Sequence, residues 1–415
     1  MSRSRLLYII QAALEYLVAI LVAGSYLATL TSELGISDSL TGILSSIISL
    51  GCLFQLFSLL IRRTRVKTMV LIFSIVNQLL FLLLYVIPLP RLPDGIRVAA
   101  FVAVIITAYL IYNIILPKKT AWLMSLVDED QRGRFTANKE IVSLIVGMVY
   151  TFGMGTMVDH FRDAGNIRTA FILCAATIFG LTVLHSIVLL ATVEPETGLS
   201  VSRDLRSGLK AVFGNRQVLK VALLFVLWNA ASYCAIPFYG TFQIKELGFS
   251  LQLVSIITIV SSIARVLVSR FWGSYADKHS FAKMVRWCFI IAAAGFGCVI
   301  FASPANGKLL FTMYSVCHAV ALGGINSALT NLCYDYTPVA YRADALAFTQ
   351  AMAGLSGFVT TLAVSPLVSA IQQNGNRFLG ISVYAQQVVS VIAFILTAVV
   401  TVYVSTFRSR NTGTE

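Results

Sequence analysis

Twelve long apolar stretches with almost no charge inside them leave this chain little choice of fold. They run approximately over residues 7–30, 40–61, 68–89, 98–126, 141–158, 169–192, 218–244, 250–270, 283–303, 309–334, 345–371 and 380–406. A helix that crosses a bilayer core needs roughly 20 predominantly apolar residues. In lipid every backbone N–H and C=O must be bonded within the protein, which leaves helices as the spanning form for stretches of this length. The predicted fold is therefore an all-α polytopic membrane protein with twelve transmembrane helices. A soluble globule is excluded by composition, because 58% of the 415 residues are apolar and 12% are charged, whereas soluble domains carry about 25% charge.

The net charge of +13 invites a nucleic-acid reading, but the basic residues sort by side. With the amino terminus placed in the cytoplasm, Lys and Arg are about threefold more frequent on the inner side than on the outer, as the positive-inside rule requires. Both termini are then cytoplasmic and the basic balance reports topology, with no nucleic-acid partner implied. A bacterial cytoplasmic membrane is the expected location. All seven cysteines, Cys52, Cys174, Cys234, Cys288, Cys298, Cys317 and Cys333, fall inside apolar stretches without paired metal-ligand spacing. They are read as packing residues, with no disulfide framework.

The spans divide six and six about a polar segment that holds Glu194, Pro195, Glu196, Arg203, Asp204, Arg206, Lys210 and Arg216. The expected organisation is a six-helix bundle over 1–192, a cytoplasmic linker over 193–217, and a second six-helix bundle with a short cytoplasmic tail over 218–415. The halves resemble each other. Arg132-Gly133-Arg134 precedes span 5 as Tyr341-Arg342-Ala343-Asp344 precedes span 11, and the basic turn Arg62-Arg63-Thr64-Arg65-Val66-Lys67 after span 2 has a counterpart in Asp277-Lys278 through Lys283 after span 8. Two parallel six-helix repeats around a ligand site near the bilayer midplane form one established transporter plan.

Four charged side chains lie well inside the spans: Glu15, Lys118, Lys119 and Arg265. A charge at the bilayer centre costs about 3 kcal/mol on insertion scales, so a retained one suggests function. In span 1, Gln11, Glu15 and Tyr26 fall near one helical face with Tyr8, because offsets of 3, 4 and 11 residues return to nearly the same direction. Glu15, the only acid inside a span, is the candidate proton carrier, and an ion pair that ties helices together is the structural alternative. Span 4 supplies Asn113 and Lys119, which share a side of the wheel, whereas Lys118 points away and is expected to snorkel toward the inner surface or to pack against a neighbouring helix. Span 7 offers Asn229, Tyr233 and Gln243 on one face, beside a hinge at Pro237 and Gly240. Arg265 belongs to a polar stripe in span 8. His318 and Asn326 stand in span 10, the histidine serving either as proton carrier or as packing. If Lys119, Arg265 and Glu15 share a cavity, its sum of one positive charge favours anionic or carboxylate-bearing cargo.

The segment Gly273-Ser274-Tyr275-Ala276-Asp277-Lys278, with Lys283 beyond it, resembles the loop motif of the major facilitator superfamily: a glycine, an aspartate four residues on, then basic residues. The first-half copy around Arg62 lacks the aspartate and the glycine. The resemblance implies that spans 1, 4, 7 and 10 line a central cavity. It also implies a cytoplasmic gate, locking the outward-open state, built from Gly273, Asp277, Lys278, Arg132, Arg134 and Arg342.

No phosphate-cradling Gly-Lys loop, catalytic serine–histidine–aspartate arrangement or metal-ligand cluster stands in the sequence, so no enzyme, cofactor or metal is expected. The function predicted is secondary active transport of a small polar organic solute by alternating access, with anionic cargo favoured and protons as the coupling ion. The partners are the solute, protons and the lipid bilayer, and the chain is expected to work as a monomer. A uniporter or anion exchanger in which Glu15 only neutralises Lys119 is the alternative within transport. A receptor or assembly protein is the alternative outside it.

Overall fold

The computed structural model of the chain describes residues 3–54, 66–90, 93–127, 132–194, 214–337 and 342–407. Arg62, Arg63 and Arg65 of the basic turn, most of the 193–217 linker, Tyr341 and the tail lie outside the described residues. So do the side chains of Cys52, Arg132, Arg134, Asp277 and Arg342.

Thirteen principal helices are described. Span 1 is split into α1 (Arg3–Leu21) and α2 (Gly24–Glu33), and spans 2 to 6 are α3 (Asp38–Phe54), α4 (Val66–Val86), α5 (Asp94–Met124), α6 (Arg132–Asp163) and α7 (Ile167–Ala191). Span 7 begins as α8 (Arg216–Tyr233) and continues through short turns to Glu246. Spans 8 to 12 are α9 (Leu251–His279), α10 (Phe281–Ile300), α11 (Gly307–Asp335), α12 (Arg342–Gln373) and α13 (Ala385–Val404). Among the described residues eleven spans are long and apolar enough to cross a membrane. The twelfth, α3, has 17 described residues and stops where the description stops.

The chain divides into two compact units, Met1–Val201 with Gln243–Ile256, and Ser202–Phe242 with Ile257–Glu415. Within the first, α1 packs on α6 and α7, and α4 packs on α5 and α7. Within the second, α8 packs on α12 and α13, and α10 packs on α11 and α13. The pairings coincide when each span is matched to the one six places later, so the repeat seen in the sequence reappears in the internal packing of each unit.

Lipid offers no hydrophobic drive for helices to meet, so close packing and interhelical hydrogen bonds must hold them. Glycines supply the first. A Cβ on Gly51 would run into the Asn113 side chain, and one on Gly324 would lie 2.5 Å from Cys288 Sγ and 3.2 Å from the Trp272 ring. The outward faces carry apolar side chains such as Phe179, Leu184, Ile187 and Val402, each more than half exposed, which is what lipid contact needs. The six cysteines with described side chains are free.

Four boundaries differ from the sequence expectation, each for a local reason. The sequence predicts one helix for span 1, but it breaks after Leu21 and restarts at Gly24, whose φ of +53° is costly for other residues. The carbonyls released there are answered by tyrosines: Tyr85 Oη donates to Leu21 O at 2.5 Å and Tyr109 Oη to Val22 O at 3.3 Å. Span 7 breaks near Pro237, which has no N–H to give, and passes through a 3-10 turn, Ile236–Phe238, Tyr239–Thr241 and a π turn, Phe242–Glu246. Thr361 Oγ1 donates to the Tyr233 carbonyl at 2.8 Å beside that break. The Gly273–Lys278 motif, expected as a loop, is the last part of α9, which continues past its apolar section to His279. Span 12 begins later than predicted because Arg377–Phe378 and Ile381–Ser382 form a small hairpin. Its turn residues Leu379 and Gly380 have φ of +51° and +82°, the double positive φ of a tight hairpin turn.

Candidate functional site

In the first unit the structure joins the two charges that stand out in spans 1 and 4 of the sequence. Lys119 Nζ, on α5, lies 2.5 Å from Glu15 Oε2 on α1, with side-chain exposures of 4% for the lysine and 24% for the acid. The lysine is thus sealed among helices while its partner keeps an open side. Lys118, the residue before it, is half-buried.

One turn before Glu15 on the same face, Gln11 is buried and its Oε1 lies 2.9 Å from His185 Nε2 on α7. The other ring nitrogen, Nδ1, lies 3.0 Å from Gln78 Nε2 on α4. The sequence points to Gln11 as cavity-lining, and not to His185 or Gln78. The signal present for all three is a polar side chain at the centre of an otherwise apolar span, which must find a partner in lipid. Lys139 of α6 lies over the Tyr8 ring at 5.6 Å from its centroid and acts electrostatically on Glu15. Its place near the start of α6 makes it look like an ordinary inner-surface charge.

The remaining span 1 and span 4 candidates have structural partners. Tyr26 Oη donates to Thr151 O at 2.9 Å and ties α2 to α6. Asn113, 2% exposed, donates to Tyr109 O at 2.8 Å and packs on Gly51. Gln243, which groups with the first unit, accepts from Ser25 Oγ at 2.7 Å through Oε1.

Two further polar groups in this unit go beyond the sequence candidates. Lys245 Nζ lies 2.8 Å from Asp38 Oδ1 and 3.2 Å from Ile36 O. Asp159 on α6 accepts from the backbone N–H of Leu251 at 3.0 Å and of Gln252 at 2.7 Å, so a carboxylate sits at the positive start of α9. Arg162 completes the group, at 3.5 Å from Asp159 and 3.2 Å from Thr29 Oγ1. These side chains stand at or beyond span ends, where charge is ordinary and carries no sequence signal.

In the second unit, His318 on α11 is surrounded by the rings of Tyr314 at 5.5 Å, Phe296 at 6.1 Å and Trp228 at 6.4 Å between centroids. Its Nε2 is buried without a hydrogen-bond partner among the described residues. Arg265 acts electrostatically on it, and the aliphatic stem of that arginine lies against Gly323. Asn229 donates to Phe225 O at 3.0 Å, Tyr233 is half-buried, and Asn326 is exposed. Of the gate candidates with described side chains, Gly273 and Lys278 are exposed at the end of α9. Among the described residues no group of His, Cys, Asp or Glu has the geometry of a metal centre.

Long apolar helices, paired in a repeating pattern and carrying a part-buried ion pair, define an integral membrane protein of the polytopic helical class. The sequence matches the Major Facilitator Superfamily over residues 8–361, and the chain belongs to that family. It is a transporter that moves a solute across the membrane, not an enzyme. No curated protein matches the sequence. Among solved structures, the nucleoside transporter NupG is similar with a TM-score of 0.76 and 14% identity, over 98% of this chain and 100% of that one. A D-xylose–proton symporter has a TM-score of 0.69 and 14% identity over 95% and 96% of the two chains. A POT family transporter in complex with 5-aminolevulinic acid has 0.71 and 12% over 97% and 96%.

Proposed function

We propose that the chain is a secondary active transporter for a small polar organic solute with an anionic group, coupled to protons through Glu15. It works by alternating access between the halves 1–192 and 218–415, joined by the cytoplasmic linker 193–217. It acts as a monomer in a bacterial cytoplasmic membrane with both termini in the cytoplasm. The observation that carries the reading is the ion pair of a sealed Lys119 with a partly open Glu15. An anionic group that reaches Lys119 competes with the carboxylate for it. A displaced Glu15 is then a part-buried acid without its counter-charge, and loss of that counter-charge favours taking up a proton. Anion and proton enter together, and the local charge stays balanced. Similar folds handle polar organic cargo in the nucleoside transporter and the D-xylose–proton symporter, and the same broad class of cargo suits this site.

The test is a thermal-shift screen of purified protein against anionic, neutral and cationic organic solutes, repeated on Lys119→Ala and Lys118→Ala. The expected result is stabilisation by an anionic solute that Lys119→Ala abolishes and Lys118→Ala largely keeps. Equal losses in the two variants, or stabilisation by cationic solutes alone, would refute the assignment of Lys119 as the anion contact.

A further inference from the structure

His185 has no exposed surface, and its two amide partners, Gln11 and Gln78, are each 2% exposed. In the arrangement described, Gln11 Oε1 accepts, so Nε2 carries the hydrogen, while Nδ1 accepts from the Gln78 amide nitrogen. That arrangement fits a neutral imidazole. Gln78 Oε1, on the far side of the same amide, has no hydrogen-bond partner among the described residues, and a buried acceptor in that condition calls for an explanation.

Turning the Gln78 amide by half a revolution sets that oxygen against Nδ1, with the amide nitrogen moving to the oxygen's former place. The bond to the ring then exists only if Nδ1 carries a hydrogen. With Gln11 unchanged the ring is an imidazolium, still held at both nitrogens. The cage of two amides therefore accommodates the ring with one proton or with two, and surrounding charge decides between them.

Among the described residues the charged groups acting on His185 are Lys119 of α5 and Glu15 of α1. α4 faces it with the neutral Gln78, and α6 carries Lys139, which acts on Glu15. Gln11 and Glu15 are one turn apart on α1 and share a face. While Glu15 is paired with Lys119 the ring has charges of both signs acting on it. Once Glu15 is released, an unpaired carboxylate stands one turn from the histidine's own partner.

We propose that His185 is a proton-binding site whose occupancy is set by the state of the Glu15–Lys119 pair: neutral while the pair is closed, and protonated at Nδ1 when Lys119 is taken by an anionic group of the solute. The second half of that statement rests on the proposed role of Lys119 as the anion contact. One N–H bond forms on loading, with the proton drawn from water, and the same bond breaks on release. His185 and Glu15 then form a shared buried store in which a proton entering with the anion is held by whichever base the geometry favours.

Histidine nitrogen NMR on the full chain in lipid nanodiscs tests this without any solute. The chain has four histidines, so converting His160, His279 and His318 to Gln leaves His185 as the single labelled ring. With the pair intact the ring is expected to be neutral with the hydrogen on Nε2. In Lys119→Met, which opens the pair for good, the titration midpoint of the ring is expected to rise by at least about one pH unit, a tenfold gain in proton affinity. Lys119→Arg, which keeps the pair, is expected to leave it in place. An unmoved midpoint in Lys119→Met overturns the proposal. Should that variant fail to fold, Gln78→Glu places a carboxylate directly at Nδ1 and must raise the midpoint by a similar amount, and an unmoved ring there overturns it equally. A moved midpoint with no Lys119-dependent anion in the solute screen would refute the anion contact and leave the proton site standing. The reverse pair of results would refute the proton site alone.

Discussion

Removing the partners of the Glu15–Lys119 pair one at a time is expected to cost unequal amounts, because the two side chains are buried to different depths. Glu15→Met leaves an ammonium group with 4% exposure and no counter-charge, whereas Lys119→Met leaves a carboxylate with 24% exposure that keeps an open side. Breaking a buried pair from one side costs about 3–5 kcal/mol. That full range is expected for Glu15→Met. For Lys119→Met the open side of the carboxylate permits some hydration, and about 1–3 kcal/mol is expected. Removing both leaves no stranded charge, and the double variant is expected to recover most of the larger loss, since an apolar replacement of a buried pair is often neutral. The assay is reversible unfolding of purified protein in mixed micelles with rising denaturing detergent, followed for wild type, both single variants and the double. A cost for Lys119→Met equal to or above that for Glu15→Met would refute the argument from burial. Additive costs in the double variant would refute the pair itself.

Gly51→Ala is expected to lower stability by about 1–3 kcal/mol, as overpacking of a closed contact does, because its Cβ would collide with the Asn113 side chain. Combining it with Asn113→Ala should restore part of the loss, and the same unfolding assay reads both. Tyr85→Phe removes the hydroxyl that answers the Leu21 carbonyl at 2.5 Å, and Tyr109→Phe removes the longer bond to Val22 O at 3.3 Å. The first is expected to cost about 1–2 kcal/mol and the second less than about 1 kcal/mol, and the reverse order would show that the break in span 1 is not held by these two bonds.

Much of this is legible in the chain because lipid enforces simple rules. Long apolar runs have to be helices, and an acid and a lysine retained inside them are natural partners once the family resemblance puts spans 1 and 4 beside each other. What stays hidden depends on groups from different helices. In the run around Leu21 Gly24 alone hints at a break, and the tyrosines that meet the released carbonyls stand some 64 and 87 residues away. The polar partnership of Gln11, Gln78 and His185 is invisible along any one helix, where each reads as a tolerated exception. Wheel position marks Tyr26 and Asn113 as cavity candidates, and it does not show the backbone carbonyl that each of them also bonds. Hydropathy also misplaces helix ends, because α9 keeps its helical bonds beyond its apolar section as far as His279.

The coupling role of Glu15 is tested most directly in proteoliposomes holding a trapped pH indicator, with a solute taken from the thermal-shift screen. An imposed pH gradient should drive solute accumulation by the native protein, accompanied by proton movement. In Glu15→Gln solute exchange should persist while gradient-driven accumulation and proton movement are lost. Solute flux that ignores the gradient in both proteins would contradict proton coupling through Glu15 and favour an exchanger in which that carboxylate only neutralises Lys119.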